Sequence, residues 1–546
     1  MTIETPVLIV GGGPIGLTLA LDLAWRGIDV TVAETRSEAE PPPPKCNHVA
    51  ARSMEIFRRL GVAESLRNAG LPADYANDVS YRTAFTGKEL TRIPIPCRRD
   101  RYTATEGPDA NWPTPEPPHR INQTFLEPIL FAHAKASPRI TLLNETAIMA
   151  ITQDDAGALA EARHVRSGAE QQIHCQYIIG CDGGGSMVRK SIGAQFEGDA
   201  VIQRVQSTYI RAPDLINRQE TAPAWATFSL NPKRSGNIYA IDGLERWVVH
   251  NYLKPDEADF ESVDRDWAIR AILGVGDDFT YDVIAPMDWF GRRLVADKFR
   301  DRRIYICGDA AHIWVPYAGY GMNAGIADAM NLSWTLAANL NGWGGARILD
   351  AYEQERLPIT QQVSHFVMDH AHAMAGQRGG VPANIEDDDA AGESARQALG
   401  QKAYDLNVQQ YCAAGLNFGY FYEDSPIIAA NGETAPGYSM ADFTASTVPG
   451  CRTPHFWLAN GDSLYDAMGP EFTLLRFDPT VDVASILGAA ERANVPMQLL
   501  DVSAAEADPA YKHALALSRP DQHIAWRGNK VPDDPSALIQ RIRGAG

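Results

Sequence analysis

The stretch "VLIVGGGPIG", Val7 to Gly16, restricts the fold more than any other part of the chain. The run "PVLIV" (Pro6 to Val10) reads as a short buried parallel strand. Gly11, Gly13 and Gly16 follow, then a helical pattern from Pro14 to Arg26 that stops at Gly27, then a second strand, "VTVAE", ending at Glu34. A glycine cluster alone makes an ordinary turn. Here strand, glycine turn, helix and an acid about 20 residues on stand in the order of a dinucleotide-binding βαβ unit. The glycines let the backbone approach a pyrophosphate at a helix N-terminus, where free N–H groups and the helix dipole favour anions. Glu34 is placed to accept from adenosine ribose hydroxyls.

A second loop of glycine and small residues, "ICGDAAHIWVPYAGYGMNAG", lies at Ile306 to Gly325. An extended FAD needs two sites, because one βαβ unit holds only its adenosine and pyrophosphate end. Asp309, following a parallel strand, can accept from a ribityl hydroxyl. Gly319, Gly321, Met322 and Asn323 offer backbone N–H groups at the start of a second helix, which continues from Gly325. Such a helix start suits the charge that builds on a reduced flavin ring.

The remaining chain divides by pattern. At 546 residues two or three domains are expected. "PPPPK" (Pro41 to Lys45) is a stiff connection into a helix near Ala50, and Arg99 to Pro118 reads as a long surface loop. "QYIIGC" (Gln176 to Cys181) is another buried strand. From Ile202 to about Trp289 segments such as "RWVVHNYL" alternate, as in an antiparallel sheet with one wet face. "NIEDDDAAGES" (Asn384 to Ser394) reads as a linker, and new strand and helix patterns begin near Pro449. The net charge of −19 disfavours nucleic acid or an anionic membrane as partner. Seven dispersed cysteines form no CxxC and no metal-ligand spacing, and the five-residue step from His365 to His370 puts these off one helix face, so no metal is expected. Reduced thiols, an N-terminus that enters a strand directly and the lack of a bilayer-length apolar run lead to the expectation of a cytoplasmic protein.

With three motifs in order, the chain resembles the FAD-dependent aromatic hydroxylases related to para-hydroxybenzoate hydroxylase and phenol hydroxylase. These motifs are the N-terminal Gly11 to Gly16, "CDGGGSMVR" (Cys181 to Arg189) and "GDAAHIWVPYAGYGMNAGIADAMNLSW" (Gly308 to Trp334). The resemblance implies an α/β fold: a Rossmann-like FAD-binding domain, an inserted, mainly antiparallel substrate domain, and a thioredoxin-like C-terminal domain. The FAD-binding parts are expected at 1–75, 101–195 and 291–390, substrate-domain parts at 76–100 and 196–290, a connecting segment at 391–445, and the thioredoxin-like unit at 446–546. That unit has no CxxC, so it carries no disulfide chemistry. Asp182 and Gln123 sit where the family contacts FAD. Arg52 fits the helix after the flavin-side loop, and Lys45 stands where many members have an arginine. The flavin loop departs from commoner glycine-rich versions at Tyr317 and Tyr320.

The implied chemistry is hydride transfer from NADH or NADPH to flavin, addition of O₂ at C4a, and transfer of oxygen from the hydroperoxide to a phenolic ring. Two alternatives stay open: the same fold and FAD serving Baeyer-Villiger-type insertion or simple oxidoreduction, and a flavin-binding protein with a vestigial site. A homodimer is compatible with the pattern. Candidates for catalysis are His48, His250 and Tyr317. His48 could accept a phenolic proton or be a surface residue at a helix start. Tyr239, His250, Pro316 and Tyr317 are candidate substrate contacts, with His250 and Tyr252 sharing one sheet face that is either a pocket or an outward surface. His312 is read as a partner of nearby backbone.

Overall fold

The computed structural model describes residues 2–219 and 221–546. Its first strand, Thr2–Val10, has four buried apolar residues at its C-terminal end, so it lies inside a sheet. It pairs in parallel with Val30–Ala33 on one side and Glu170–Gly180 on the other. Ile140–Leu143 and Ile304–Ile306 extend the parallel set outward. The order across the sheet is Arg300–Asp301, Ile304–Ile306, Glu170–Gly180, Thr2–Val10, Val30–Ala33 and Ile140–Leu143, with the hairpin Thr146–Gln153 and Ala158–His164 attached. Helices Pro14–Trp25 and Tyr320–Leu340 pack on each other over this core. The second helix begins at Tyr320, earlier than the Gly325 start expected from the pattern, because Gly319 in the left-handed region turns the chain directly into it.

The second sheet has nine strands, antiparallel except where Ala226–Ser229 runs parallel to Val79–Arg82. Its order is His312–Trp314, Trp289–Ala296, Phe196–Arg211, Arg246–Tyr252, Gly236–Ala240, Ala226–Ser229, Val79–Arg82 and Glu89–Ile93, with Asp282–Pro286 pairing beside Phe196–Arg211. The short strand His312–Trp314 carries the chain from the end of Ile304–Ile306 onto this second sheet. The loop that carries Asp309 is thereby tied to the nine-stranded sheet.

Two sequence expectations are corrected here. The segment read as a linker is the start of a 22-residue helix, Ala390–Tyr411, whose N-cap Asp389 accepts from the Gly392 amide at 2.7 Å. The acidic run is therefore a helix cap, as dipole electrostatics favour. This helix packs against Glu89–Ile93 and its last turn joins the core of the nine-stranded unit. Arg99 to Pro118 is also no simple surface loop: Arg101 and Asp109 form a buried pair at 2.6 Å, and Glu116 accepts from Arg67 at 3.0 Å.

The C-terminal unit is thioredoxin-like. Its sheet runs Met497–Asp501, Phe472–Arg476, Leu515–Ser518, Ile524–Gly528, the first pair parallel and the others antiparallel, with Ala484–Arg492 and Pro535–Ile542 packed together. Phe472, Leu474, Leu515 and Leu517 share one hydrophobic core with Trp334 and the parallel-sheet unit. Buried charges cross the same boundary: Arg519 donates to both oxygens of Glu355 at 2.6 and 2.8 Å, and Arg26 reaches Pro470 O and Glu471.

Candidate functional site

The three motif glycines have three different physical reasons to be glycine. Gly11 has φ +107°, and a Cβ there would lie 2.3 Å from the Cys181 carbonyl oxygen. A Cβ on Gly16 would come within 2.0 Å of the Gly11 carbonyl oxygen, so that position permits the close packing of helix on strand. Around Gly13 no protein atom lies within 4 Å of such a Cβ. Its backbone faces an open cleft at the N-terminus of Pro14–Trp25, where the first amides have no intrahelical partner. Glu34 stands beside this turn and accepts from the Gly12 amide at 2.8 Å and the Arg36 amide at 2.9 Å. Burial opposes its charge, but the Arg36 amide and guanidinium and the Gly12 amide outweigh it and hold the carboxyl below its ordinary range.

Asp182 shapes the second motif. Its carboxylate accepts from Ser186 Oγ at 2.5 Å and from the Met187 and Val188 amides at 2.7 and 3.2 Å. It thus organises the turn into the short helix Met187–Ser191, and Arg189 then reaches the carbonyls of Gly184 and Ala310.

In the third motif, Asp309 lies exposed at the end of the loop, surrounded by the walls of the cleft, and its carboxylate has no protein hydrogen-bond partner among the described residues. Burial raises its pKa, against the opposing charges of His312 and Lys45. His312 does not bind backbone, as the sequence suggested, but places Nε2 2.7 Å from Asp328, which also accepts from Arg356 Nε at 2.8 Å and from the Gly308 amide. Beyond Pro316, Ala318 (φ +58°) and Gly319 (φ +60°) take two consecutive left-handed positions before the helix starts. Tyr320, Gly321 and Met322 precede the first intrahelical bond, so their amides are the free ones. A Cβ on Gly321 would touch only Trp314 Nε1, at 3.9 Å. The Asn323 side chain is a staple: it accepts from the Ala50 amide (2.8 Å) and Ser53 Oγ (2.7 Å) and donates to the carbonyls of His48 (3.1 Å) and Gly319 (2.6 Å).

Of the residues placed beside the cofactor by resemblance, Gln123 starts the helix Gln123–Ala136, with its amide on the Lys45 and Cys46 carbonyls and its side chain on Glu127 at 2.7 Å. Lys45 lies on the same loop, near enough for its charge to act on Asp309. Arg52 has other partners: its guanidinium bonds Glu55 (2.7 Å), Gln522 and the Asp521 carbonyl. It ties the helix Ala51–Arg59 to the C-terminal unit, so both of its terminal nitrogens are engaged by protein and not free for a cofactor.

His48 is buried, against the surface alternative. Its Nδ1 accepts from Arg120 Nη1, and its Cβ packs where a side chain on Gly319 would come within 3.0 Å. Burial, then the charges of Arg120, His119 and Arg101, push its pKa well below the usual value. A guanidinium only donates, so the neutral ring carries its proton on Nε2. The basic nitrogen is already taken by Arg120, which leaves an N–H on Nε2 and no free ring nitrogen to accept a proton.

The nine-stranded sheet presents a face of rings toward the flavin loop. Trp225 meets Tyr239 with centroids 5.4 Å apart, Tyr239 meets His250 at 5.6 Å, and His250 meets Trp289 at 6.0 Å. His250 is thus on an inward face; burial lowers its pKa to about 4, and its Nδ1 has no protein partner. The Tyr317 hydroxyl donates to Gln203 Oε1 at 3.0 Å and receives from Arg378 Nη1 at 3.4 Å, while Arg378 lies 4.2 Å from the Tyr252 ring centroid. Tyr411, from the segment read as a connector, packs against Trp225 and Phe228. Sequence reasoning missed Arg120, Trp225, Trp289, Arg378 and Tyr411. Arg120 alone had a usable signal, being three residues before Gln123.

A groove of about 730 Å³, lined by Thr5, Asp154, His174 and Gln176 among others, lies near the N-terminal ends of the central parallel strands. Ligands of such sheets bind at the carboxyl ends, where the cleft described above is found. That cleft fits an extended FAD: open amides at Gly13, an acid at the end of Val30–Ala33, an unpartnered carboxylate at Asp309 and free amides at Tyr320 to Met322. Among the described residues there is no group of three or more side chains suited to hold a metal, and no helix is long and apolar enough to cross a membrane.

Comparison with known proteins agrees with this geometry. Residues 4–367 match the family model of the FAD binding domain, and residues 446–545 match that of the aromatic-ring hydroxylase C-terminal domain. The chain is 28% identical to phenol 2-monooxygenase of Pseudomonas sp. (strain EST1001) over 589 aligned residues, covering 99% of this chain and 93% of that protein. Among solved structures it superimposes on the rebeccamycin biosynthetic enzyme RebC with reduced flavin (TM-score 0.91, 31% identity, all of both chains). It also superimposes on aklavinone-11 hydroxylase with FAD and aklavinone (TM-score 0.82, 25% identity, 99% of both chains). From its glycine turn to its thioredoxin-like end, the chain belongs to the family of FAD-dependent aromatic-ring monooxygenases.

Proposed function

We propose that this protein hydroxylates a phenolic or related aromatic substrate, using NADH or NADPH and O₂. The observation that carries the reading is the wall of rings from Trp225 to Trp289, which stands opposite the flavin loop at Pro316 to Met322. It is longer than a single ring, which favours a substrate of more than one ring. The ligands named for the solved relatives, aklavinone in one and 7-carboxy-K252c in another, support an extended aromatic as well.

Bound FAD supplies the hydride acceptance and oxygen activation that side chains cannot. The chain's own residues hold and orient. The amides at Gly13 and the dipole of Pro14–Trp25 balance the pyrophosphate, Glu34 takes the ribose hydroxyls, and Asp309 takes a ribityl hydroxyl. Gly321 keeps the ring's approach free of side chain. Tyr317, fixed by Gln203 and Arg378, closes the gap between ring wall and loop and excludes water, which protects a reactive oxidant from unproductive loss. His250 stays neutral at physiological pH and offers its unpartnered Nδ1 to a substrate oxygen.

The test is purification with bound FAD, followed by NADH or NADPH oxidation in the presence of a panel of phenols, with product mass. A gain of one oxygen coupled to phenol-dependent turnover supports the proposal. Nicotinamide oxidation that no aromatic stimulates, or oxygen insertion only beside a carbonyl, overturns it.

A further inference from the structure

Arg120 is buried to 4% exposure, yet no carboxylate lies within ion-pair distance of it among the described residues. The charged groups nearest it are Asp109 and Arg101. Asp109 is already engaged: Oδ2 accepts from Arg101 at 2.6 Å, and Oδ1 accepts from Trp112 Nε1 at 2.8 Å. Tyr411 and Cys412, the other neighbours, are held neutral by burial, which raises both. Two buried guanidiniums thus share one carboxylate, and an excess positive charge remains inside the protein. Buried charges are ordinarily paired.

The guanidinium sits at the end of the ring wall, 4.7 Å from the Trp225 centroid and 5.8 Å from that of Tyr411. Through Nη1 it fixes His48, whose ring packs against Gly319 of the flavin loop. Among the described residues the one hydrogen bond to the His48 ring is that of Arg120 to Nδ1, so Nε2–H has no protein partner there. The unbalanced charge and the unmet donor therefore meet where wall and loop meet.

Resting on the proposed aromatic substrate, we infer that His48 Nε2–H and Arg120 form an oxyanion site, and that the substrate binds with an ionised oxygen, phenolate or carboxylate, against His48. His48 touches the substrate; Arg120 acts through it, as a positioning residue and counter-charge. For a phenol the consequence is chemical as well as steric, because a phenolate ring is richer in electrons at the carbons that an electrophilic oxygen attacks. The neutral, low-pKa state of His48 agrees with a donor that does not itself take the proton.

The experiment uses FAD-loaded protein and three probes: 4-nitrophenol below its own pKa, 4-nitrobenzoate and uncharged 4-nitroanisole. Difference spectra report whether nitrophenol is bound as its coloured anion. In the wild type, binding should raise the phenolate band. Arg120→Met and His48→Leu should abolish that rise and weaken the anionic probe by about tenfold or more, as expected for a lost hydrogen bond to a charged group. His48→Gln, which keeps an N–H donor, should restore much of it, and 4-nitroanisole affinity should stay constant, showing an intact chamber. Preference for nitrobenzoate over nitrophenol assigns the site to a carboxylate, and the reverse assigns it to a phenolate. If wild type binds anion and anisole alike, or if Arg120→Met shifts only the flavin reduction potential, the oxyanion site is refuted. Turnover is not read here, so the result is independent of whether the hydroxylation proposal stands.

Discussion

Gly13→Ala separates ligand approach from folding in a way that neither Gly11 nor Gly16 of the same turn allows. The residue has φ −78° and ψ −174°, which alanine adopts without strain, and a Cβ there meets nothing within 4 Å. As N-cap of Pro14–Trp25 it loses up to about 1 kcal/mol on becoming alanine, whereas reduced freedom of the unfolded chain returns about 0.4–1 kcal/mol. The flavin-free protein should therefore keep its stability to within about 1 kcal/mol. The methyl group would occupy the space through which the pyrophosphate reaches the helix amides. Losing one or two hydrogen bonds to a charged group, at about 1.5–3 kcal/mol each, raises the FAD dissociation constant at least about tenfold. Gly16→Ala is the control: its Cβ would fall 2.0 Å from the Gly11 carbonyl oxygen, so it should lower the flavin-free unfolding free energy, measured in urea, by about 1–3 kcal/mol. Flavin-free protein is unfolded in urea, and FAD affinity is measured by quenching of flavin fluorescence. A Gly13→Ala protein that binds FAD as tightly as the wild type would refute the placement of the pyrophosphate.

Asp309→Asn should weaken FAD retention on gel filtration yet leave the flavin-free protein more stable at neutral pH. A carboxyl whose folded pKa is raised favours folding below its unfolded pKa and loses that contribution as pH rises through the folded one; urea midpoints across the acid range read the difference between the two proteins. Asp22 is buried against Arg59, Arg26 and Ser333, whose charges and bond overcome the cost of burial and lower its pKa. Asp22→Asn should cost about 3–5 kcal/mol in denaturant unfolding, and the wild-type advantage, present above the unfolded carboxyl pKa, should fade as pH falls through the depressed one. Tyr317→Phe removes the hydroxyl held by Gln203 and Arg378; FAD content should be unchanged while the ratio of product formed to nicotinamide oxidised falls. Equal coupling in both proteins would remove Tyr317 from the chamber.

The glycine turns were legible because close backbone approach dictates residue type: a Cβ at Gly11 or Gly16 would meet a carbonyl oxygen, and Glu34 at the end of the next strand lies beside the same turn. Antiparallel alternation likewise exposed the second sheet. What sequence did not reveal depends on partners far along the chain. Arg52 looked like a cofactor contact because nothing near it in sequence shows that Gln522 and Asp521 lie beside it. The acidic run before Ala390 has a linker's composition, and only the cap formed by Asp389 turns it into a helix start. His48 was ambiguous because its burial is imposed by Arg120 and by Gly319, neither of them its neighbour in sequence.

The buried ion pairs across the boundary with the C-terminal unit have a consequence for biosynthesis. Glu55 is compensated by Arg52 and by Arg452, and Glu355 by Arg519. During translation Glu55 leaves the ribosome 397 residues ahead of Arg452, and Glu355 leaves it 164 residues ahead of Arg519. Until Arg519 emerges, Glu355 has no guanidinium in its place, and Trp334 lacks the Phe472 side chain that covers it. The helix that carries the flavin loop is thus completed by residues made well over a hundred positions after it. A premature stop codon late in the gene leaves a chain in which Glu355 is uncompensated, Glu55 keeps only Arg52, and core is exposed, a substrate for cellular proteases instead of a shorter enzyme.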